Sequence, residues 1–179
     1  MENINLDDCK YLGHGENGKV YLMPNGKAIK ICKNEEVCKE EYEVLKIAKK
    51  KKSHYFPKIY KRDGNIMIRE YVDGKNLREY IKKNGLSKKL AVNLIKMIEE
   101  FKKLGFKRLD MRGAHIYVVK NEKVKVIDPS MQLIKEVKYP RRMLKDLKKL
   151  EVQKKFYRVL KKKRPKLYHD WRKLEKRNN

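Results

Sequence analysis

Alternating apolar and polar residues predict a strand-rich first part of the chain. The run KVYLM-PNG-KAIKIC holds two such segments, and Pro24-Asn25-Gly26 between them supplies the residues of a tight turn. The runs YFPKIYKR and IMIREYV form a second pair around Asp63-Gly64-Asn65, another hairpin signal. Between the two pairs, a helix is predicted to begin after Asn34, a residue type that caps helices well.

A period of about 3.6 residues dominates the second part and predicts mainly helix. Asn76 is placed to cap a short helix from Leu77 to Asn84, and Ser87 to cap a long helix that Gly105 ends. The polar loop FKRLDMRGAH and two short strands, IYVV and VKVI, come next. From Ser130 to Asn179 the pattern is that of mostly basic helix. This order predicts an α+β protein, β-rich first and helix-rich afterwards.

The helix after Asn34 carries a charge on its apolar face. At helical spacing that face consists of Val37, Glu41, Val44, Leu45 and Ala48. An unpaired carboxylate on a buried face is costly. We therefore expect a basic partner for Glu41 from another element.

Composition limits the class of protein. The chain has 179 residues and 40% hydrophobic residues, enough for a packed core and too apolar for a disordered chain. It contains no apolar run of the roughly 18 residues that cross a bilayer, and its start lacks signal-peptide features. Its three cysteines are odd in number and form no C-x-x-C, which indicates free thiols without a metal role. We expect a cytoplasmic protein.

The charge balance indicates polyanionic partners. Lys and Arg number 49 against 23 Asp and Glu, a formal net charge of +26. The segment from Lys135 to Asn179 alone carries 19 basic and five acidic residues. Such a surface attracts RNA or an anionic membrane surface. Alternatively, the excess of basic residues has no binding role and only keeps the protein soluble.

Three early glycines suggest a phosphate loop. Gly13, Gly15, Gly18 and Val20 have the spacing G-x-G-x-x-G-x-V. A dinucleotide-binding fold needs a helix directly after such a loop, whereas a strand follows here, so that fold is excluded. Between antiparallel strands, the loop would instead cover phosphates with its backbone amides.

In order and near the right spacing, six motifs resemble the protein kinase superfamily: GHGENGKVY, KAIK, EYEVL, IREYVDGKNL, LDMRGAH and VIDPS, over Tyr11 to Ser130. The resemblance implies one bilobal kinase-like domain. Residues 1–69 would form a β-rich N-lobe, 70–76 the hinge, and 77–179 a minimal helical C-lobe with a basic tail.

The resemblance also assigns roles to individual residues. It implies ATP as a ligand, together with Mg²⁺ or Mn²⁺. The residues that would bind the nucleotide are Gly13, Gly15, Gly18, Val20, Lys30, Glu41, Glu70 and Val72. Within this set Lys30 would hold the phosphates and Glu41 would hold Lys30. Asp110 would accept the proton of the acceptor hydroxyl and Arg112 would contact the transferred phosphate, while Asp128 and His115 would bind the metal.

Several positions depart from the kinase pattern. Arg108-Leu109-Asp110 stands for H-R-D, His115 for the metal-binding Asn, and Asp128-Pro129-Ser130 for D-F-G. Arg69 falls at the gatekeeper position, an unusual place for a charge. No A-P-E follows and little chain remains, so the sequence is more similar to the small atypical kinases: the RIO kinases, the KEOPS-complex kinase and the lipopolysaccharide-core sugar kinases.

Three functions are compatible with these motifs. The first is an ATP-dependent phosphotransferase, an atypical serine/threonine protein kinase. The second uses the same site on a sugar, glycolipid or small-molecule hydroxyl. The third is a nucleotide-binding pseudokinase scaffold with a basic nucleic-acid-binding surface. Asp110 and Asp128 also have a purely structural interpretation, as turn or capping residues. Trp171 is interpreted as a core anchor.

Overall fold

A computed structural model of the chain describes residues 5–129 and 131–177. The chain divides into two compact units. The N-terminal unit comprises Met1–Asp73 with Ile127–Met131, and the C-terminal unit comprises Gly74–Val126 with Gln132–Asn179. Ile127–Met131 thus belongs with the β-rich unit although Gly74–Val126 separates it from Asp73 in sequence.

The N-terminal unit is built on a five-stranded antiparallel sheet. Its strands are β1 (Lys10–Gly15), β2 (Gly18–Leu22), β3 (Lys27–Cys32), β4 (Ile59–Asp63) and β5 (Ile66–Glu70), in the order β1-β2-β3-β5-β4. The two predicted hairpin pairs are present. The second pair begins later than predicted, at Ile59, because Tyr55, Phe56 and Pro57 are buried without joining the sheet.

Helix α1 (Glu35–Lys50) packs against the sheet at β3, β4 and β5. The Asn34 side chain accepts a hydrogen bond from the Val37 amide at 2.9 Å, so the predicted cap is confirmed. The predicted face is also confirmed in its main part, since Glu41, Val44, Leu45 and Ala48 are buried. Cys32 on β3 and Cys38 on α1 are buried free thiols.

The C-terminal unit is mainly helical. Its helices are α2 (Leu77–Asn84), α3 (Lys88–Lys103), α4 (Arg141–Lys149), α5 (Gln153–Lys163) and α6 (Pro165–Arg177). The caps predicted at Asn76 and Ser87 are confirmed by side-chain hydrogen bonds to the following amides. A small sheet, β6 (Lys75–Asn76), β7 (Ile116–Val118) and β8 (Val124–Val126), adds one strand, β6, that the sequence pattern did not predict.

The predicted α+β class is confirmed, with a β-sheet region first and helices after it. Trp171 is 1% exposed and stacks parallel to Phe156, which confirms it as the core anchor of α6. Across the described ranges, no helix combines the length and apolar character needed to cross a bilayer.

Candidate functional site

Lys30 lies between two carboxylates inside the N-terminal unit. Its Nζ is 2.5 Å from Glu41 Oε2 and 2.5 Å from Asp128 Oδ1. The predicted ion pair between β3 and α1 is therefore confirmed, and Asp128 joins it as a second acceptor. Lys30 and Glu41 are 4% and 1% exposed, so both charges are removed from water and depend on each other.

The electrostatics of this cluster favour a charged lysine. Burial opposes the ammonium, but the charges of Glu41 and Asp128 outweigh it and raise the pKa of Lys30 above its ordinary value. Burial likewise raises the pKa of Glu41, against the opposing effects of Lys30 and Arg69. One ammonium thus serves two carboxylates, and the second nearby cation is Arg69.

Arg69 on β5 is a buried cation whose charge acts on Glu41. It is 5% exposed, and its Nη1 donates to the Glu70 carbonyl at 3.1 Å. The charge of Arg69 could be recognised as unusual from the sequence. Its link with Glu41 could not, because the two residues lie on different elements.

The glycine hairpin of β1 and β2 stands beside Lys30. Val20 is the register partner of Lys30 across β2 and β3. A Cβ atom at Gly18 would come within 2.1 Å of the Ile31 carbonyl oxygen, so this position excludes every larger residue. Apart from the chain neighbours of each glycine, no heavy atom of the described residues lies within 4 Å of the place where a Cβ would stand at Gly13 or Gly15. Because these residues have no side chains, the backbone of β1 is left uncovered there.

Asn17, at the tip of this hairpin, is a site residue that sequence reasoning missed. Its Nδ2 donates to the Asp128 carboxylate at 3.3 and 3.4 Å. Asp128 has a left-handed backbone, with φ of 56°. Asp tolerates this conformation better than most residues do. The left-handed backbone in turn sets the direction of the Asp128 carboxylate. Asn17 therefore connects the glycine hairpin to Asp128.

Glu70 and Val72, assigned to adenine by the resemblance, close the N-terminal unit. Glu70 ends β5, and its Oε2 accepts from the Lys58 amide at 3.0 Å. Val72 is buried. The Glu70 carbonyl, which would receive adenine, accepts from Arg69. Adenine binding by these two residues stays a prediction.

Asp110 occupies a different electrostatic setting in the C-terminal unit. It is 1% exposed, and its Oδ1 accepts from the Arg142 amide at 2.7 Å, in the first turn of α4. Oδ1 thus accepts from a backbone amide in the first turn of α4, although the N-cap residue of that helix is Pro140. Its Oδ2 has no hydrogen-bond partner within the described residues. Burial raises the pKa of Asp110, while Arg142, Arg108 and Arg141 oppose that rise.

Asp146 holds the loop that follows Asp110. Its Oδ2 accepts from the Gly113 amide at 2.8 Å, and its Oδ1 pairs with Arg78 Nη2 at 3.0 Å. A Cβ at Gly113 would lie 2.9 Å from Asp146 Oδ2, so glycine is needed for this approach. Arg142 and Asp146 are four residues apart, on one face of α4, and together attach the loop to this helix. No pattern in the sequence distinguishes Asp146 from any other acidic residue in a helix.

Arg112 and His115 lie on the same loop as Asp110. Arg112 is exposed and forms no ion pair within the described ranges, while His115 is half-buried in a short 3₁₀ turn, Gly113–His115. Asp128 belongs to the N-terminal unit and His115 to the C-terminal unit. Their joint metal role stays a prediction.

Asp128 and His115 are the metal ligands that the resemblance implies. Among residues 5–129 and 131–177, no group of three or more His, Cys, Asp or Glu could hold a metal ion. Mg²⁺ in phosphotransfer sites is commonly held by one or two carboxylates together with substrate phosphates, so Asp128 is a suitable protein ligand. A neutral imidazole at His115 suits Mn²⁺ better than Mg²⁺. Ser130, third residue of the motif that contains Asp128, is outside the described residues.

No protein-family model matches the chain, and no curated protein is similar to it.

Proposed function

We propose that this protein is an ATP-dependent phosphotransferase with a kinase-like bilobal fold, and that it acts on an alcohol group as an atypical serine/threonine kinase does. The observation that carries the proposal is the buried Lys30, held by Glu41 and Asp128. Phosphoryl transfer by protein kinases requires a strand lysine paired with a helix glutamate, and an aspartate that binds Mg²⁺. Lys30, Glu41 and Asp128 would fill these three roles.

The glycine hairpin supports the phosphate role of this cluster. Lys30 is paired with Val20 on the hairpin, and Asn17 donates to Asp128. Small residues in the outer strand let backbone amides approach an anion. Backbone strain of the kind found at Asp128 is concentrated at functional sites, although strain alone does not define one.

The proposed roles follow from these positions. Lys30 holds the α- and β-phosphates of ATP, and Glu41 keeps its ammonium in place. Asp128 and His115 would hold Mg²⁺ or Mn²⁺, which when bound neutralises phosphate charge. Asp110 accepts the proton of the acceptor hydroxyl through Oδ2, the oxygen that does not accept from the Arg142 amide. Arg112 stabilises charge on the transferred phosphoryl group.

The test is ATP binding and turnover by the full chain. We expect the protein to bind an ATP analogue in the presence of Mn²⁺ and to release ADP from ATP. Lys30→Met should weaken both, whereas Lys19→Met, an exposed lysine on β2, should weaken neither. Binding without any turnover under either metal would favour a pseudokinase, and absence of binding would contradict the proposal.

A second candidate function, a basic scaffold for RNA, is favoured by helices α5 and α6. Eleven of their basic residues are exposed, or lie at the connection between them: Lys154, Lys155, Arg158, Lys161, Lys162, Lys163, Arg164, Lys166, Lys173, Lys176 and Arg177. If this surface binds RNA, affinity should fall steeply between about 50 and 200 mM salt because counterions are released. Binding that ignores salt, or no binding at low salt, would leave the charge with a solubility role only.

A further inference from the structure

The Asp110 loop and the first turn of α4 together carry four arginines. Arg108 and Arg112 flank Asp110 in the loop, where they alternate with the buried Leu109 and Met111. Arg142 approaches it from α4, with Nε 3.8 Å from Asp110 Oδ2. Arg141 precedes Arg142 in the first turn of the same helix.

The choice of arginine in this cluster is informative because lysine dominates elsewhere. Only 11 of the 49 basic residues are arginines, yet four of these lie in the Asp110 loop and the first turn of α4. Arginine presents a planar fork of donors that matches an oxyanion, while lysine is a hydrated point charge. Solubility alone would not require this replacement.

The cluster carries more positive charge than its own carboxylate can balance. Burial lowers the pKa of Arg108, and the guanidiniums of Arg142, Arg112 and Arg141 add to that effect, with Asp110 opposing it. Arg108 Nε is buried without a hydrogen-bond partner in the described residues, and Arg141 forms no ion pair there. Four cations and one anion leave an unbalanced charge that an external anion would stabilise.

We propose that Arg108, Arg141 and Arg142 form a binding site for a phosphate group carried by the acceptor, beside the hydroxyl that Asp110 deprotonates. The acceptor is therefore a molecule that already bears a phosphate. Its role as acceptor rests on the proposed kinase function, whereas the phosphate site itself does not. A phosphate fits better than a carboxylate because a doubly charged group matches three guanidiniums.

Phosphate binding by the full chain tests the site without any reaction. Inorganic phosphate and, in parallel, acetate are titrated at constant ionic strength by calorimetry into the wild type and three variants. We expect the double variant Arg141→Gln/Arg142→Gln to bind phosphate at least about tenfold more weakly. Lys154→Gln/Lys155→Gln, with the same charge change on exposed positions of α5, should bind as the wild type does.

The third variant, Lys19→Met, controls for the loss of one exposed basic residue in the N-terminal unit. It should leave phosphate affinity unchanged. Equal loss in the two double variants, loss in Lys19→Met, or acetate binding as tight as phosphate would each overturn the proposal. Because substitution at Arg142 keeps the backbone amide that Asp110 accepts from, the fold should survive, and thermal unfolding of each variant checks this. An arginine variant that does not fold is replaced by Arg108→Lys, which keeps the charge but loses the fork and should still weaken phosphate binding.

Matched acceptors then test the acceptor role. ADP release is measured with glycerol and glycerol 3-phosphate, and with a serine peptide with and without a neighbouring phosphoserine. We expect the phosphorylated member of at least one pair to have the higher kcat/KM, and the arginine double variant to reduce that advantage. Phosphate binding without transfer to any acceptor contradicts the kinase function and leaves the phosphate site standing. Transfer without phosphate binding, or with no preference for the phosphorylated member, overturns the acceptor phosphate site instead.

Discussion

The two carboxylate clusters of this protein differ in their charge balance. Around Lys30, two carboxylates and two buried cations, Lys30 and Arg69, balance each other inside the N-terminal unit. In the C-terminal unit, the charges of three arginines, Arg108, Arg141 and Arg142, act on the one carboxylate of Asp110. The members of a balanced buried cluster depend on one another, whereas an excess of one sign attracts a ligand of the other sign. Loss of one member should therefore cost most stability in the Lys30 cluster, while the Asp110 cluster has positive charge in excess.

Removing the lysine should produce the largest effect on stability. Lys30→Met leaves Glu41 and Asp128 without their shared cation in a buried place. We expect the free energy of unfolding, measured with urea, to fall by about 3–5 kcal/mol. The exposed Lys19→Met on β2 serves as control and should change it by less than about 0.5 kcal/mol. Equal effects from the two substitutions would mean that the cluster does not stabilise the fold.

Asp110→Asn should separate catalysis from stability in the second cluster. The amide oxygen of Asn can still accept from the Arg142 amide, so this hydrogen bond to the first turn of α4 is kept. It cannot take a proton, so ATP turnover should fall by about 10²–10⁴-fold. Asp110→Ala, which also loses this hydrogen bond, should cost about 1 kcal/mol of stability in addition. Full turnover by Asp110→Asn would remove Asp110 from the proposed mechanism.

His115→Asn should change metal preference more than rate. An imidazole ligand favours Mn²⁺ over Mg²⁺, and an amide oxygen is the harder ligand. We expect wild-type turnover to be higher with Mn²⁺ and the variant to shift toward Mg²⁺ by several-fold, on the order of 1 kcal/mol or less. The two metals are compared at equal ATP concentration. If the wild type uses both equally and His115→Ala changes nothing, the imidazole is not a ligand.

The smallest expected effect is on the pH dependence of stability. Burial raises the pKa of Asp110 in the folded protein, so the folded state holds this proton more tightly than the unfolded chain does. The contribution of Asp110 to stability is therefore greatest at low pH and is lost as pH rises from about 4, the ordinary value for Asp, through the folded pKa.

The measurement is urea unfolding between about pH 4 and 7. Asp110→Asn should flatten this decline, and Arg142→Gln, which removes an opposing charge, should extend it to higher pH. A decline that is identical in the wild type and Asp110→Asn would assign it to other groups. This result would also weaken the contrast between the two clusters.

Local features were predictable from the sequence because they depend on residues within about one helical turn of each other. The caps at Asn34, Asn76 and Ser87 were found from residue type and position, and the structure confirms all three. The apolar face of α1 was found from its period, and the charge on it demanded a partner. That Glu41 has a basic partner could be predicted because burial of a lone carboxylate is too costly to leave unpaired, and the kinase-like KAIK motif indicated Lys30 as that partner.

The other members of both clusters were decided by tertiary structure alone. Asn17 donates to Asp128 across 111 residues of sequence, and the Arg142 amide donates to Asp110 across 32. Asp146 holds Gly113 across 33 residues, and no local pattern distinguishes it from a solvent-exposed helical acid. Hydrogen bonds and charges act over a few ångströms in space, so their partners depend on the path of the chain between them. The sequence therefore determined which elements form and which charge needs a partner, while the fold determined which distant side chains meet it.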